Sequence, residues 1–323
     1  MQRRDILTLF LVGLVLALAA CTPDDPLTPI TVQLKYFHQA QFAGFYAADQ
    51  NGYYADEGLA VTFLEGGPRV DLEQAVMDGS AQFGVTAAEV LISERAAGQP
   101  LSAISVIYQR NPLVFMVMAD SGIVHPRDIV GRRVQYNLTT RTILNAMLAN
   151  LDIPPNQFEE VDVGFDLEQF YAGNVDVWIA FLTNEVLAAR AAGYDVNVIN
   201  PDDYGIHFYS DTIFTRDDII ADDPELVQRF LRATLKGWTF AVENPDQIPA
   251  MVVEYNPDAD LQHESDQMYA SLPLISTGEE PIGWMDSTVW ADMETTLREQ
   301  GVLTVSLDVD QVYAAQFVTE IYK

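Results

Sequence analysis

The run Lys35-Tyr36-Phe37-His38-Gln39-Ala40-Gln41-Phe42 brings an ammonium, aromatic rings, an imidazole and two amides into one short connection. Side chains of these types bind a flat molecule by stacking on its faces and hydrogen-bonding to its edge. An alternative role for Phe37 and Phe42 is to pin the following helix to the sheet. Covalent chemistry finds less support. The histidines His38, His125, His207 and His263 form no HxxxH or HxH pair, so no metal site is expected. No Gly-x-Ser-x-Gly elbow occurs, and no Ser/His/Asp set has a recognisable context, so no catalytic residue is assigned. Gly66-Gly67 could offer amides to an anion, but no Lys or Ser/Thr follows at P-loop spacing. Cys21 is the single cysteine, which excludes disulfides and cysteine-based zinc sites. No cofactor is called for.

The elements around that run place it at the end of a strand. An apolar strand over 30–34 leads into it, and a helix over 43–51 leads out and stops at Gly52, a residue suited to a left-handed C-cap. A second strand is expected over 59–64. Further on, helices over 69–77 and 87–97 alternate with strands over 82–85, 101–108 and 113–118, with Thr86 as a candidate N-cap. Strand–helix alternation predicts an α/β protein with mostly parallel sheets and helices on their faces. In such sheets a ligand sits outside the C-terminal strand ends, where the aromatic run falls. A second βα unit follows from 119, and the C-terminal part, after 214, reads mainly as helices. The expected organisation is a signal segment 1–20, a tether 21–29, one lobe from 30–118 plus 214–323, and a second lobe from 119–213. Two crossings between lobes make a hinge around a cleft.

The first residues point outside the cytoplasm. Gln2-Arg3-Arg4 precedes an apolar stretch ending Leu18-Ala19-Ala20-Cys21, a lipobox pattern in which the thiol of Cys21 takes a diacylglycerol. The expected location is the extracytoplasmic face of a cell membrane, held by that lipid. Removing residues 1–20, and with them Arg3, Arg4 and Asp5, leaves 15 basic and 46 acidic residues, a net charge near −31. That field repels phosphate backbones, so nucleic acid is not an expected partner. Acidity of this kind also describes a solvated surface unconnected with any ligand.

Several segments resemble one family along nearly the whole chain after residue 21. Phe42-x-Gly44-Phe45-Tyr46-x-Ala48, Gly52-Tyr53-Tyr54-x-x-Glu57-Gly58-Leu59, Gly84-Val85 and Asp128-Ile129-x-Gly131 resemble the substrate-binding proteins of bacterial ABC importers of the SsuA and ThiY type. Asp162-Val163-Gly164-Phe165-Asp166-Leu167, Asn184-Glu185, Asn200-Pro201-x-Asp203-Tyr204-Gly205 and Ile282-Gly283-Trp284-Met285 are similar to its vitamin-related branch, which takes pyrimidine precursors of thiamine and, in the RibY-like group, riboflavin. The resemblance implies a two-lobed periplasmic-binding-protein type II fold, lipid anchoring, delivery of a small vitamin ligand to ABC permease subunits, a monomeric state and no catalysis. The superfamily's cytosolic pyrimidine synthases carry a cysteine-rich motif that is missing here.

The departures from the family bear on the ligand. Pyrimidine binders tend to have an acidic residue after the first strand, where this chain has Lys35, whose ammonium donates to carbonyl oxygens that an isoalloxazine has and an aminopyrimidine lacks. Glu185 could accept N–H bonds from either ring system, or could simply complement the dipole of its helix. The expected ligand is riboflavin, with a thiamine pyrimidine precursor as the alternative. Expected pocket residues are Lys35, Tyr36, Phe37, His38, Gln39, Tyr108, Tyr136, Asn137, Phe165, Glu185 and Tyr204. Trp178, inside an apolar strand, is expected in the core. Asn137 and Asn184 could bond ribityl hydroxyls or cap helices.

Overall fold

The structure is a computed structural model that describes residues 26–135, 138–164 and 166–323, with backbone alone for 138–140. The strands are β1 (Thr28–Gln33), β2 (Leu59–Leu64), β3 (Phe83–Thr86), β4 (Leu101–Tyr108), β5 (Leu113–Met118), β6 (Arg133–Gln135), β7 (Glu159–Val161), β8 (Val177–Phe181), β9 (Val196–Ile199) and β10 (Ser210–Arg216). They form two five-stranded sheets, ordered β2-β1-β3-β10-β4 and β7-β6-β8-β5-β9. β1 runs parallel to β2 and β3, whereas β10 is antiparallel to β3 and β4. In the second sheet β6 is parallel to β7 and β8, and β5 is antiparallel to β8 and β9. Each sheet is therefore mixed for the same reason: its antiparallel strand is the one that has just arrived from the other sheet.

This topology corrects the expected lobe boundaries. β5 pairs with β8 and β9 in the second sheet, so the first crossing occupies 109–112 and not the neighbourhood of Met118. The return lies between β9 and β10, and the second sheet draws its strands from within 113–199. The apolar run of β5 is buried almost throughout, and continuous burial carries no information about which partner a strand takes. The expected tether also ends early, because Thr28 and Pro29 already pair with Leu59 and Ala60. Thr86 lies inside β3; the helix Ala88–Ala96 begins after Ala87 without a side-chain cap.

The first sheet is covered by the helices Ala43–Gln50 and Pro224–Glu243, which approach closely because both contact positions are glycines, Gly44 and Gly237. Phe83 of β3 stacks on Phe230 of the longer helix with ring centres 3.9 Å apart. Gly52 ends the helix Ala43–Gln50 at φ 74°, the left-handed conformation that its lack of a Cβ permits. The core is continuous under the first sheet and extends to β5 and β6, while Trp178 anchors a smaller cluster with Phe170, Val186 and Ala189 on the other face of the second sheet.

Candidate functional site

The loop after β1 turns away from the sheet because Gly66 lies against it: a Cβ there would fall 2.2 Å from the carbonyl oxygen of Leu34. Loop and β2 end are further tied by the Gln33 side chain, whose Nε2 donates to the carbonyls of Leu34 and Glu65 at 3.0 Å each. This arrangement delivers Lys35, Tyr36, Gln39 and Gln41 to the rim of a cavity of about 350 Å³ between the two sheets. The first lobe also contributes Glu73, Thr86, Glu89 and, at the start of β10, Ser210; the second contributes Phe181, Asn184 and Glu185, and the first crossing contributes Asn111. A volume of that order suits a drug-sized molecule.

A polar network forms one side of the cavity. Lys35 Nζ donates to Ser210 Oγ at 3.1 Å and to Asp211 Oδ1 at 3.0 Å, and lies 5.2 Å from the centre of the Phe181 ring. Gln41 Nε2 donates to Asp211 Oδ2 at 2.7 Å, and Gln39 Nε2 donates to Gln41 Oε1 at 2.6 Å. Behind them Gln267 Oε1 accepts from the Gln41 amide at 2.9 Å, and Glu264 Oε2 accepts from the Ala40 amide at 2.6 Å. Both partners come from the helix Leu261–Ile275, which thereby holds the loop rigid. The Lys35 ammonium is thus held by two acceptors and retains one hydrogen beyond them.

Carboxylates dominate the rest of the lining. Glu185 Oε2 accepts from the Phe181 amide at 2.8 Å and Oε1 from Asn184 Nδ2 at 3.2 Å, so the side chain closes the turn from β8 into the helix Glu185–Ala191. Burial raises its pKa above the ordinary carboxylate value, with those two hydrogen bonds acting the other way. The Tyr36 hydroxyl is raised as well, first by burial and then by the Glu185 charge. Glu73 Oε1 accepts from Thr86 Oγ1 at 2.6 Å. Glu89 is 6% exposed, and its Oε2 has no hydrogen-bond partner. Burial raises its pKa, partly offset by the Lys35 charge.

Contacts between the lobes frame the opening. Asn184 Oδ1 and His263 Nε2 lie 3.0 Å apart across it. At the hinge side, Arg110 donates from Nη1 to Asp202 Oδ2 at 3.3 Å and from Nη2 to Glu279 Oε2 at 3.1 Å, and His207 Nδ1 sits 2.7 Å from Asp202 Oδ1. Arg110 belongs to one crossing and His207 to the other, so this cluster ties the two chain passages together.

Lys35, Tyr36, Gln39 and Glu185 are thus brought together, and other expected pocket residues are not. Phe37 is half exposed; its ring packs edge-on against Tyr36 at 4.8 Å and over Gly67, which makes it a staple. His38 faces away: its amide donates to Glu65 Oε1 at 3.1 Å and its Nδ1 lies 2.9 Å from the Tyr46 hydroxyl, with burial lowering the imidazole pKa. Tyr108 is buried in the core and donates to Ser271 Oγ at 2.9 Å. Tyr204 packs edge-on against His125 at 5.3 Å, outside the cavity. Tyr136, Asn137, Phe165 and Cys21 lie outside the described residues. Glu73, Glu89, Asn111, Phe181 and Ser210 were not expected in the lining. A strand-final Phe181 in an apolar run looks like core, and Glu89 in a first helical turn looks like a dipole partner; only their burial beside open space separates them.

Comparison with known proteins gives four consistent matches. The family model described as "NMT1/THI5 like" matches residues 39–248. The riboflavin-binding protein RibY of Chloroflexus aurantiacus is 26% identical over an alignment covering 98% of this chain and 99% of that protein. The formylaminopyrimidine-binding protein of Halalkalibacterium halodurans is also 26% identical, covering 86% and 89%. Among solved structures, the periplasmic aliphatic sulphonate-binding protein SsuA of Escherichia coli superposes with a TM-score of 0.70 at 15% identity, covering 90% of this chain and 92% of that one. The α/β architecture with two mixed sheets and flanking helices is the periplasmic-binding-protein fold.

Proposed function

The chain belongs to the NMT1/THI5-like family, and from that membership we propose that it is the extracytoplasmic substrate-binding subunit of an ABC importer that captures riboflavin. The cavity between the sheets carries the reading, because both sheets line it and it holds aromatic, amide and charged groups together. Tyr36 from the first lobe and Phe181 from the second offer ring faces to an isoalloxazine. Lys35, with its back hydrogen-bonded to Ser210 and Asp211, donates to a ring carbonyl. Asn111, Asn184 and Gln39 suit ribityl hydroxyls. Closure of the lobes, through the Asn184–His263 contact, would trap the ligand for delivery to a membrane permease, with the protein held at the bilayer through an acylated Cys21 and catalysing nothing.

Sulphonate capture is disfavoured here, because Glu73, Glu89 and Glu185 line the same space and an anion would meet their charge. Carboxylates would also accept from the amino group of a thiamine pyrimidine precursor, which keeps that ligand as the alternative.

The test is a thermal-shift panel with riboflavin, formylaminopyrimidine and an alkanesulphonate. Riboflavin at 100 times its dissociation constant should stabilise the protein by about 2.7 kcal/mol, with the sulphonate inert. A shift with the pyrimidine alone would move the assignment to the alternative, and one with the sulphonate alone would end both. In the same assay Glu185→Gln should weaken riboflavin binding by about 1–3 kcal/mol through loss of a charge-assisted acceptor; unchanged affinity would confine Glu185 to closing its turn.

A further inference from the structure

A chain of hydrogen bonds crosses the mouth of the cleft, from the cavity wall of one lobe to the cavity wall of the other. It starts at Glu185, a lining residue that accepts from the Phe181 amide at 2.8 Å and from Asn184 Nδ2 at 3.2 Å. An ionised carboxylate only accepts, so it fixes which way the Asn184 amide faces: nitrogen toward Glu185, oxygen toward the other lobe. Asn184 Oδ1 there lies 3.0 Å from His263 Nε2, which must therefore carry the proton and donate. His263 stands in the first turn of the helix Leu261–Ile275, with its own amide held by the Asp260 cap at 2.9 Å. The next residue, Glu264, accepts from the Ala40 amide at 2.6 Å. One turn beyond His263, Gln267 Oε1 accepts from the Gln41 amide at 2.9 Å and its Nε2 donates to Gln39 Oε1 at 3.3 Å. Gln39 and Gln41 line the cavity from the first lobe, whereas His263 does not line it.

We propose that Asn184 and His263 form a clasp that sets how long a ligand stays bound, with Glu185 orienting the Asn184 amide and His263 acting as a positioning residue across the cleft. The proposal rests on the reading that the cavity between the lobes is the ligand site, and it adds the control of release from it. It does not depend on which heterocycle is bound. The coupling has a physical cause. The contact needs the helices Glu185–Ala191 and Leu261–Ile275 to approach, and each helix is bonded to one wall of the cavity. A ligand that touches both walls therefore favours the same arrangement as the clasp does, and each strengthens the other. Leaving the closed cleft requires the Asn184–His263 bond to break, whereas entry into an open cleft precedes its formation. The clasp thus slows dissociation and leaves association nearly untouched.

The experiment follows association and dissociation of riboflavin and of formylaminopyrimidine by stopped-flow intrinsic fluorescence, on the mature chain as wild type, His263→Ala, Asn184→Ala and the double variant. His263→Ala should raise the dissociation rate by about 3- to 10-fold, the effect of one lost hydrogen bond, and change the association rate by less than about twofold. In the Asn184→Ala background the same substitution should change the dissociation rate by less than about twofold, because its partner is already gone. His263→Gln, which offers an N–H at the same reach from the main chain, should restore most of the wild-type dwell time. A dissociation rate unmoved by His263→Ala, or an equal effect of that substitution in both backgrounds, overturns the proposal. A fall in the association rate alone assigns His263 to recognition and also overturns it. So does a lower apo melting temperature with both rates altered and no rescue by glutamine, which marks a packing role. If the wild type ignores riboflavin but binds formylaminopyrimidine, the flavin reading has failed while the clasp is judged on the second ligand by the same rates. Failure of the wild type to bind either heterocycle overturns both.

Discussion

Asp211→Ala should lower the unfolding free energy by about 3–5 kcal/mol, because it strands a largely buried cation. The Asp211 carboxylate is 2% exposed and accepts from Lys35 Nζ, from Gln41 Nε2 and, at 3.3 Å, from Ser210 Oγ. Alanine would leave the ammonium of Lys35, whose side chain is only 18% exposed, with Ser210 as its remaining hydrogen-bond partner and would orphan the Gln41 side-chain amide. Backbone conformation adds to the loss: Asp211 has φ 45°, a left-handed geometry that aspartate and asparagine accept more readily than alanine. Asp211→Asn keeps the acceptor and the backbone preference, so it should cost less than half as much. Urea midpoints at fixed pH measure both. Adding Lys35→Met to Asp211→Ala should recover part of the stability, since the stranded charge is then gone. A double variant no more stable than the single one would mean that the ion pair is not the reason for the loss.

Gly237→Ala should also destabilise, by about 3 kcal/mol, although glycine-to-alanine changes inside helices ordinarily gain about 1 kcal/mol. The helix Pro224–Glu243 crosses the helix Ala43–Gln50 at this point, and a Cβ on residue 237 would lie 2.1 Å from the carbonyl oxygen of Gly44 and 2.7 Å from the amide nitrogen of Ala48. Both obstacles are backbone, so neither can rotate aside. The converse contact is as tight, since a Cβ on Gly44 would sit 2.2 Å from the Trp238 ring. Separation of the two helices would shift the loop that precedes residue 43, and with it Tyr36 and Gln39. Thermal melting separates the possibilities by sign: a variant stabilised by its better helix former would show that the helices do not meet this closely.

The elements that follow from local rules were legible in the sequence. Strand–helix alternation, the stop at Gly52 and the amphipathic pattern of Pro224–Glu243 depend on neighbours within a few residues, and they appear where the spacing puts them. Partner choice was not legible. β5 reads as one more strand of the preceding unit, and only its pairing with β8, more than sixty residues later in the chain, moves it to the second sheet. The same limit governs the site. Lys35, Tyr36 and Gln39 were found because the strand-end rule is local, whereas Tyr108 satisfies that rule and is nevertheless turned into the core toward Ser271. Glu89, Phe181 and Ser210 come together from three separate segments, and their own residue types and spacing announce no cavity. The acidic surplus hides them further, since one buried carboxylate among many solvated ones looks no different until its surroundings are known.

The most direct test of the central claim is an equilibrium titration of the mature chain with riboflavin, followed by flavin fluorescence. Stacking against Tyr36 and Phe181 should quench the emission and saturate at one flavin per chain, and Tyr36→Ala should weaken the binding and relieve much of the quenching in whatever complex forms. Emission that stays unquenched at micromolar protein and riboflavin, with no competing heterocycle bound, would contradict a flavin held between the two sheets.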